Sequence, residues 1–231
     1  MDMMENRLES VLAAIEEAIA LAGRPPGTVE LMAVSKTHGY DEILAVFSQG
    51  QRLFGENRVQ EVLEKFPSGD RPFKLHLIGH LQTNKVRKIV TEVDGIDSVD
   101  SIRLAQSINN ECLKIGKVMP VLLEFNTSQE VSKTGFEDES SFFNCLDEIA
   151  MLPAIAVKGL MTIGPLSSHE REVRSAFARL RGLQEKSTAC HPEMDFSVLS
   201  MGMSQDFIWA IKEGSTQVRI GTAIFGHRSS V

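Results

Sequence analysis

Cysteine is scarce in this chain. Cys112, Cys145 and Cys190 are three, an odd number at wide spacing, and no C-x-x-C pair occurs. A disulfide framework and a cysteine-based zinc site are therefore excluded, and a reducing cytoplasm is expected. No apolar run approaches the roughly 18 residues of a membrane span. The opening Met1-Asp2-Met3-Met4-Glu5-Asn6-Arg7 is charged and lacks a signal peptide's apolar stretch. Positive charge is also in deficit: 24 basic against 31 acidic side chains leave a net charge of −7. That balance argues against nucleic acid, whose affinity comes largely from Lys and Arg on phosphates, and against an anionic membrane surface. Neither Ser nor Cys sits in a nucleophile-elbow pattern. His76 and His80 fall on a strand and its exit, where residues four apart do not converge, so no metal pair is expected. Tyr40 and Trp209, alone of their types, read as helix-packing residues.

What the chain does have is an ordinary globular balance over 231 residues, 42% hydrophobic and 24% charged. Apolar residues at Leu8, Val11, Leu12, Ile15 and Ile19 have helical spacing, and Gly23 with Pro25-Pro26 stops that helix, which is placed at about residues 5–22. Strands are then expected at Val29–Ser35, Arg52–Gly55, Lys74–Ile78, Gly95–Val99, Val118–Phe125, Val157–Ile163, Phe196–Ser200 and Gln217–Phe225. Helical segments lie between them, near Asp41–Gln49, Val59–Lys65, Asn84–Val90, Ser101–Cys112, Glu139–Met151, Glu170–Lys186 and Gln205–Glu213, with Ser187–Glu193 as a loop. Strict strand–helix alternation with short joints indicates parallel βα units. Eight of them after a leading helix predict an α/β fold, a closed (β/α)8 TIM barrel forming one domain over residues 1–231; an open doubly wound sheet is the alternative.

In a barrel the chemistry belongs at the carboxyl ends of the strands, and polar residues collect there: Ser35-Lys36-Thr37-His38, Glu56-Asn57, His80, Thr162 and Ser200-Met201-Gly202-Met203-Ser204. The loops after strands seven and eight form the recurrent phosphate site of such barrels. Ser200, Gly202 and Ser204 on one, with Gly221 and Thr222 on the other, supply close backbone approach and hydroxyl donors. Turn-making glycines and a helix-capping serine explain the same residues equally well. Lys36 at the mouth is either a Schiff-base nucleophile or a solvated charge. Alternation in Val218-Arg219-Ile220-Gly221-Thr222 turns Arg219 inward, which is costly unless an acceptor awaits it; an ion pair with Glu30 or Glu124 is the competing explanation.

Several ordered runs resemble the YggS/PROSC family of pyridoxal phosphate (PLP) homeostasis proteins. They are Ala33-Val34-Ser35-Lys36-Thr37, Phe54-Gly55-Glu56-Asn57, and the run from His76 to Lys85 with its Gly79-His80-Leu81-Gln82-Thr83-Asn84. Leu199 to Asp206 and Val218 to Gly226 extend the match, and Ser98-Val99-Asp100-Ser101 and Glu130-x-x-Lys133-x-Gly135 fall in order between them. The resemblance spans Val29 to His227 and implies a fold-type III barrel, similar to the N-terminal domain of alanine racemase, with PLP as cofactor. It implies that Lys36 forms a Schiff base with C4′ of PLP, that Ser200, Gly221 and Thr222 hold the phosphate, that Arg219 faces the pyridine nitrogen, and that Asn57 and Met161 lie against the ring.

An arginine beside that nitrogen disfavours its protonation and weakens the electron sink. Racemisation further needs a second proton-transfer group, which alanine racemases draw from an additional domain absent here. The expectation is a cytoplasmic, monomeric PLP carrier in vitamin B6 homeostasis, without strong turnover and with PLP-dependent apoenzymes as recipients. A single-domain amino-acid racemase using Lys36 and His80 is the alternative, and a Schiff-base aldolase a third.

Overall fold

Aliphatic and β-branched runs bounded by Gly, Pro and charged residues become the strands of a closed parallel barrel. This is a computed structural model, and it describes residues 2–67, 71–128, 130 and 133–226, the backbone alone for 2–6. The expected reach of the resemblance to His227, and of the domain to both chain ends, thus extends outside the described residues. The strands are β1 (Glu30–Val34), β2 (Leu53–Glu56), β3 (Lys74–Leu77), β4 (Gly95–Val99), β5 (Met119–Glu124), β6 (Ile155–Met161), β7 (Val198–Met203) and β8 (Gln217–Ile220). Each pairs in parallel with the next, and β8 closes on β1, with Glu30 abreast of Gln217 and Met32 abreast of Arg219. The closed (β/α)8 barrel expected from the alternation is therefore present, and the open sheet is not.

Around it lie α1 (Asp2–Leu21), α2 (Tyr40–Ser48), α3 (Val59–Lys65), α4 (Val86–Ile89, entered by a 3-10 turn Thr83–Lys85), α5 (Ile102–Lys114), α6 (Glu139–Ala150), α7 (Glu170–Cys190), α8 (Phe207–Lys212) and α9 (Thr222–Phe225). Outward strand residues such as Leu75, Leu77, Val121, Leu123 and Val218 meet the helices in one continuous core. Inside the barrel a smaller apolar plug, Met32, Val34, Leu53 and Ile78, stands between the two mouths. Among the described residues no helix is long and apolar enough to cross a membrane.

Several boundaries differ from expectation, among them the end of strand seven, which runs to Met203 and not to Ser200. Strand eight stops at Ile220, and Thr222–Phe225 turn into α9 instead of continuing to Phe225. Helix α7 runs on to Cys190, through the expected loop: Ser187 is fully buried on the helix's core side, its hydroxyl satisfied by the Leu183 carbonyl, and the His191 N–H donates to the Ser187 carbonyl at 2.9 Å. The leading helix buries Leu8, Val11, Ile15 and Ile19 and packs on α8 and α9. Its Arg7 donates to the Phe225 carbonyl at 3.3 Å, satisfying a carbonyl at the end of α9.

Candidate functional site at the carboxyl mouth

A cavity of about 850 Å³ opens at the carboxyl ends of the strands. Its lining draws on β1 and its exit (Val34, Lys36, Thr37, His38), on Asn57 after β2, on the Ile163–Ser168 segment after β6, on Met203–Asp206 after β7, and on Arg219, Gly221 and Thr222. Six residues expected from sequence, Lys36, Asn57, Ser204, Arg219, Gly221 and Thr222, line this one cavity.

Lys36 is exposed at the mouth, and among the described residues its amine has no ion pair or hydrogen bond. Arg219 is the opposite case: only 4% exposed, it donates to the Ser200 hydroxyl and to the Thr162 carbonyl, each at 2.8 Å. Those bonds occupy two of its five N–H donors. Among the described residues no carboxylate pairs with it. The alternative of an ion pair with Glu30 or Glu124 therefore fails: Glu30 is exposed, and Glu124 accepts from the Thr134 hydroxyl at 2.8 Å. Burial lowers the arginine pKa, and the fields of Asp97, Asp206 and Glu124 partly restore it. Asp206 lines the cavity; burial raises its carboxyl, against the Met203 amide that donates to it at 2.6 Å.

The two glycines divide. Gly221 has to be glycine: a Cβ there would stand 2.9 Å from the Val34 carbonyl oxygen, so its bareness lets the start of α9 lie against β1, beside the exit that carries Lys36. Thr222 and Ala223 beyond it are exposed residues, and their amides donate to no acceptor among the described residues. Gly202 instead follows the turn-making reading. Its φ of +96° and its contact with Phe207 and Ala210 serve the packing of α8, and it stays off the cavity wall.

Ser200 and Met161 lie beneath the floor. Both are buried, at 0% and 1% exposure, abreast of one another in the β6–β7 ladder, and neither lines the cavity. Ser200 reaches the site through Arg219, whose guanidinium it holds. The irregularity between β7 and β8 is the reason: three residues from Ser200 to Met203 span two from Gln217 to Arg219, which lifts Ser204 to the cavity and leaves Ser200 below. His80 also lies off the lining, about half exposed, with Nδ1 3.2 Å from Asp100.

Other lining residues were assigned no role from the sequence. Trp209, expected as a helix-packing residue, also lines the cavity from α8. His38 stacks on Phe225 with ring centroids 4.8 Å apart and sits 3.1 Å from Glu42. Pro165 to Ser168 form a wall tied down by Lys133, which donates to the Gly164 carbonyl and to Glu130, each at 2.8 Å.

The sequence and the fold both match known proteins. Residues 8–229 match the family model for the alanine racemase N-terminal domain. The chain is 38% identical over 236 residues to a pyridoxal phosphate homeostasis protein of Vibrio alginolyticus, covering 99% of each. It is 39% identical over 228 residues to one from Aquifex aeolicus, covering 96% of this chain and 97% of that protein. Among solved structures, PipY of Synechococcus elongatus with PLP bound superimposes with a TM-score of 0.79 at 35% identity, over 92% of this chain and 100% of that one. Alanine racemase of Clostridium difficile shares the fold at TM-score 0.71 and 16% identity, over 95% of this chain and 57% of that one. The chain belongs to the alanine racemase N-terminal domain family, among the pyridoxal phosphate homeostasis proteins.

Proposed function

We propose that this chain binds pyridoxal 5′-phosphate at the carboxyl mouth and serves intracellular vitamin B6 homeostasis, holding the cofactor without strong turnover. The observation that carries this reading is a buried guanidinium without a carboxylate partner, in one cavity with an unpaired lysine amine. Two cations without an ion-pair partner among the described residues, facing one space of about 850 Å³, favour an anion with acceptors of its own. PLP fits that demand: a phosphate for the Thr222 hydroxyl and the free amides beside Gly221, a ring nitrogen for Arg219, and an aldehyde for Lys36. The homeostasis role named for the relatives and the PLP-bound PipY support the same ligand.

Bound PLP supplies an aldehyde that condenses with amines and a ring that withdraws electrons. Lys36 would hold the aldehyde carbon covalently. Thr222, Gly221 and the neighbouring Ser204 would grip the phosphate. Ser200 would act one step removed, by fixing Arg219, while Asn57 borders the ring and Met161 supports the floor. Arg219, permanently charged, opposes a second positive charge on the ring nitrogen and so restrains electron withdrawal. For racemisation a second proton-transfer group must stand across the cavity from Lys36. His80 is engaged with Asp100 off the lining, and His38 is stacked on Phe225. The proposal extends to a cytoplasmic, single-domain monomer that passes cofactor to PLP-dependent apoenzymes.

The test is an absorbance titration of the cofactor-free protein with PLP and with pyridoxal, which lacks the phosphate. A saturable visible band with PLP and far weaker uptake of pyridoxal are expected; equal uptake, or none, would overturn the binding site. Turnover of free amino acids by the loaded protein, with kcat near the ~1–10³ s⁻¹ usual for enzymes, would overturn the non-catalytic role.

A further inference from the structure

The residue after Lys36 is strained. Thr37 has φ of +69° and is the only non-glycine residue with positive φ among the described residues. A β-branched side chain disfavours that region, so the conformation persists only where its surroundings enforce it. The enforcing groups are a turn bond of the chain itself, from the His38 N–H to the Ser35 carbonyl at 3.1 Å, and side chains of α3. The Thr37 N–H donates to Glu61 Oε2 at 2.9 Å. On the other side of Lys36, the Ser35 carbonyl accepts from Lys65 Nζ at 2.9 Å. The same ammonium bonds Glu56 Oε1 at 2.6 Å and lies 3.7 Å from Glu61. The Ser35 hydroxyl donates to that Glu56 oxygen as well, at 2.7 Å.

The peptide groups on both sides of the Lys36 Cα are therefore held by side chains of α3, one turn apart. Together with the Ser35–His38 turn bond they hold the two backbone torsions of Lys36 and with these the direction of its side chain. Glu56 is fully buried, its other carboxylate oxygen has no partner among the described residues, and burial raises its carboxyl despite Lys65 and Ser35. A pair buried at that desolvation cost adds little net stability over apolar packing; what it supplies is position.

We infer that α3 aims the lysine: Glu61 and Lys65, with Glu56 as their buried anchor, are positioning residues for the Lys36 amine. The inference deepens the cofactor reading above and rests on it. In the capture step the Lys36 nitrogen bonds to the aldehyde carbon, a C=N bond forms, and the aldehyde oxygen leaves as water with the two amine protons. Misplacement of a reacting group by about 1 Å costs up to roughly 100-fold in rate.

The experiment compares wild type with Glu61→Ala, Glu61→Gln and Lys65→Met in three measurements. These are the rate of covalent PLP capture, the affinity for pyridoxine 5′-phosphate, and hydrogen exchange at the Thr37 amide in cofactor-free protein. Pyridoxine 5′-phosphate carries phosphate and ring but no aldehyde. Expected for Glu61→Ala and Lys65→Met is capture slowed by about 10- to 100-fold with unchanged pyridoxine 5′-phosphate affinity. Glu61→Gln, which keeps an acceptor for the Thr37 N–H, should recover most of the rate, and Glu61→Ala should speed Thr37 exchange. Capture at the wild-type rate in the variants overturns the inference, as does a parallel loss of pyridoxine 5′-phosphate affinity, which would mean a merely structural role. Should Lys65→Met fail to fold, the Glu61 pair decides alone. Failure of wild type to capture PLP, or undiminished capture by Lys36→Ala, defeats the cofactor reading instead; Thr37 exchange, read without cofactor, still decides the clamp.

Discussion

Both mouths of the barrel are lined with charge, and the two use it differently. The amino mouth holds a cavity of about 480 Å³ bordered by Glu30, Lys74, His76, Asp94, Asp97, Lys117 and Lys158. Glu30 and Lys74 are exposed at its rim, and the other five are bonded within the protein. His76 meets Asp97 at 2.9 Å, Lys158 meets Asp195 at 3.2 Å, Lys117 donates to the Val90 and Val93 carbonyls, and Asp94 accepts from the Leu75 amide. At the carboxyl mouth Lys36 and Arg219 form no ion pair among the described residues, although the fields of Asp97, Asp206 and Glu124 reach Arg219. Pairing at one end reads as stability, and absence of pairing at the other as a site prepared for a ligand. This is the division expected of barrels in general, here drawn residue by residue.

The comparison breaks most readily at the buried pair. His76→Leu leaves Asp97 charged and unpaired in the interior, and a loss of about 3–5 kcal/mol is expected in urea denaturation, with PLP capture retained by the folded protein. A loss of capture beyond the unfolded fraction would mean that the amino mouth is part of the site. At the other end, Thr222→Ala should weaken PLP binding by about 1.5–3 kcal/mol and leave the urea midpoint in place. A shifted midpoint with intact affinity would reverse the two assignments.

A smaller effect separates the mouths by pH. Burial lowers the His76 pKa, but the charge and hydrogen bond of Asp97 outweigh it, so the folded value lies above the ordinary one. Its contribution to stability is then complete below about pH 6.5, the unfolded value, and is lost as pH rises through the folded value. Measured against His76→Gln/Asp97→Asn, where neither position titrates, the wild-type advantage should shrink toward alkaline pH; an advantage that grows there contradicts the pairing. Least of all should be felt at the rim. Lys158→Met removes a half-exposed ion pair, and about 0.2–1 kcal/mol is expected by denaturation, with no change in cofactor uptake.

The barrel was legible because its strands are short aliphatic and β-branched runs in strict alternation with helices. The misread end of strand eight shows the limit. Ala223-Ile224-Phe225 is an apolar run that strand and helix accommodate equally, and only the packing of Gly221 on Val34 and of Arg7 on Phe225 selects the helical turn. Lys36, Arg219, Gly221 and Thr222 could be found because alternation and strand ends locate them. Ser200 was placed one level too high, since the offset between β7 and β8 is a property of the ladder and not of local composition. Asp206, Trp209 and the Pro165–Ser168 wall converge only through loop geometry. The Glu56–Lys65 bond joins a strand end to a helix nine residues on, and no periodicity distinguishes that pair from any other two charges.

The central claim is that the amine of residue 36 takes the cofactor's aldehyde. Borohydride reduction of the PLP-loaded protein, followed by peptide mapping, tests it directly: the pyridoxyl label should lie on Lys36, one per chain, and vanish in Lys36→Ala. A label on any other lysine, or reduction that leaves the chain unlabelled, would contradict it.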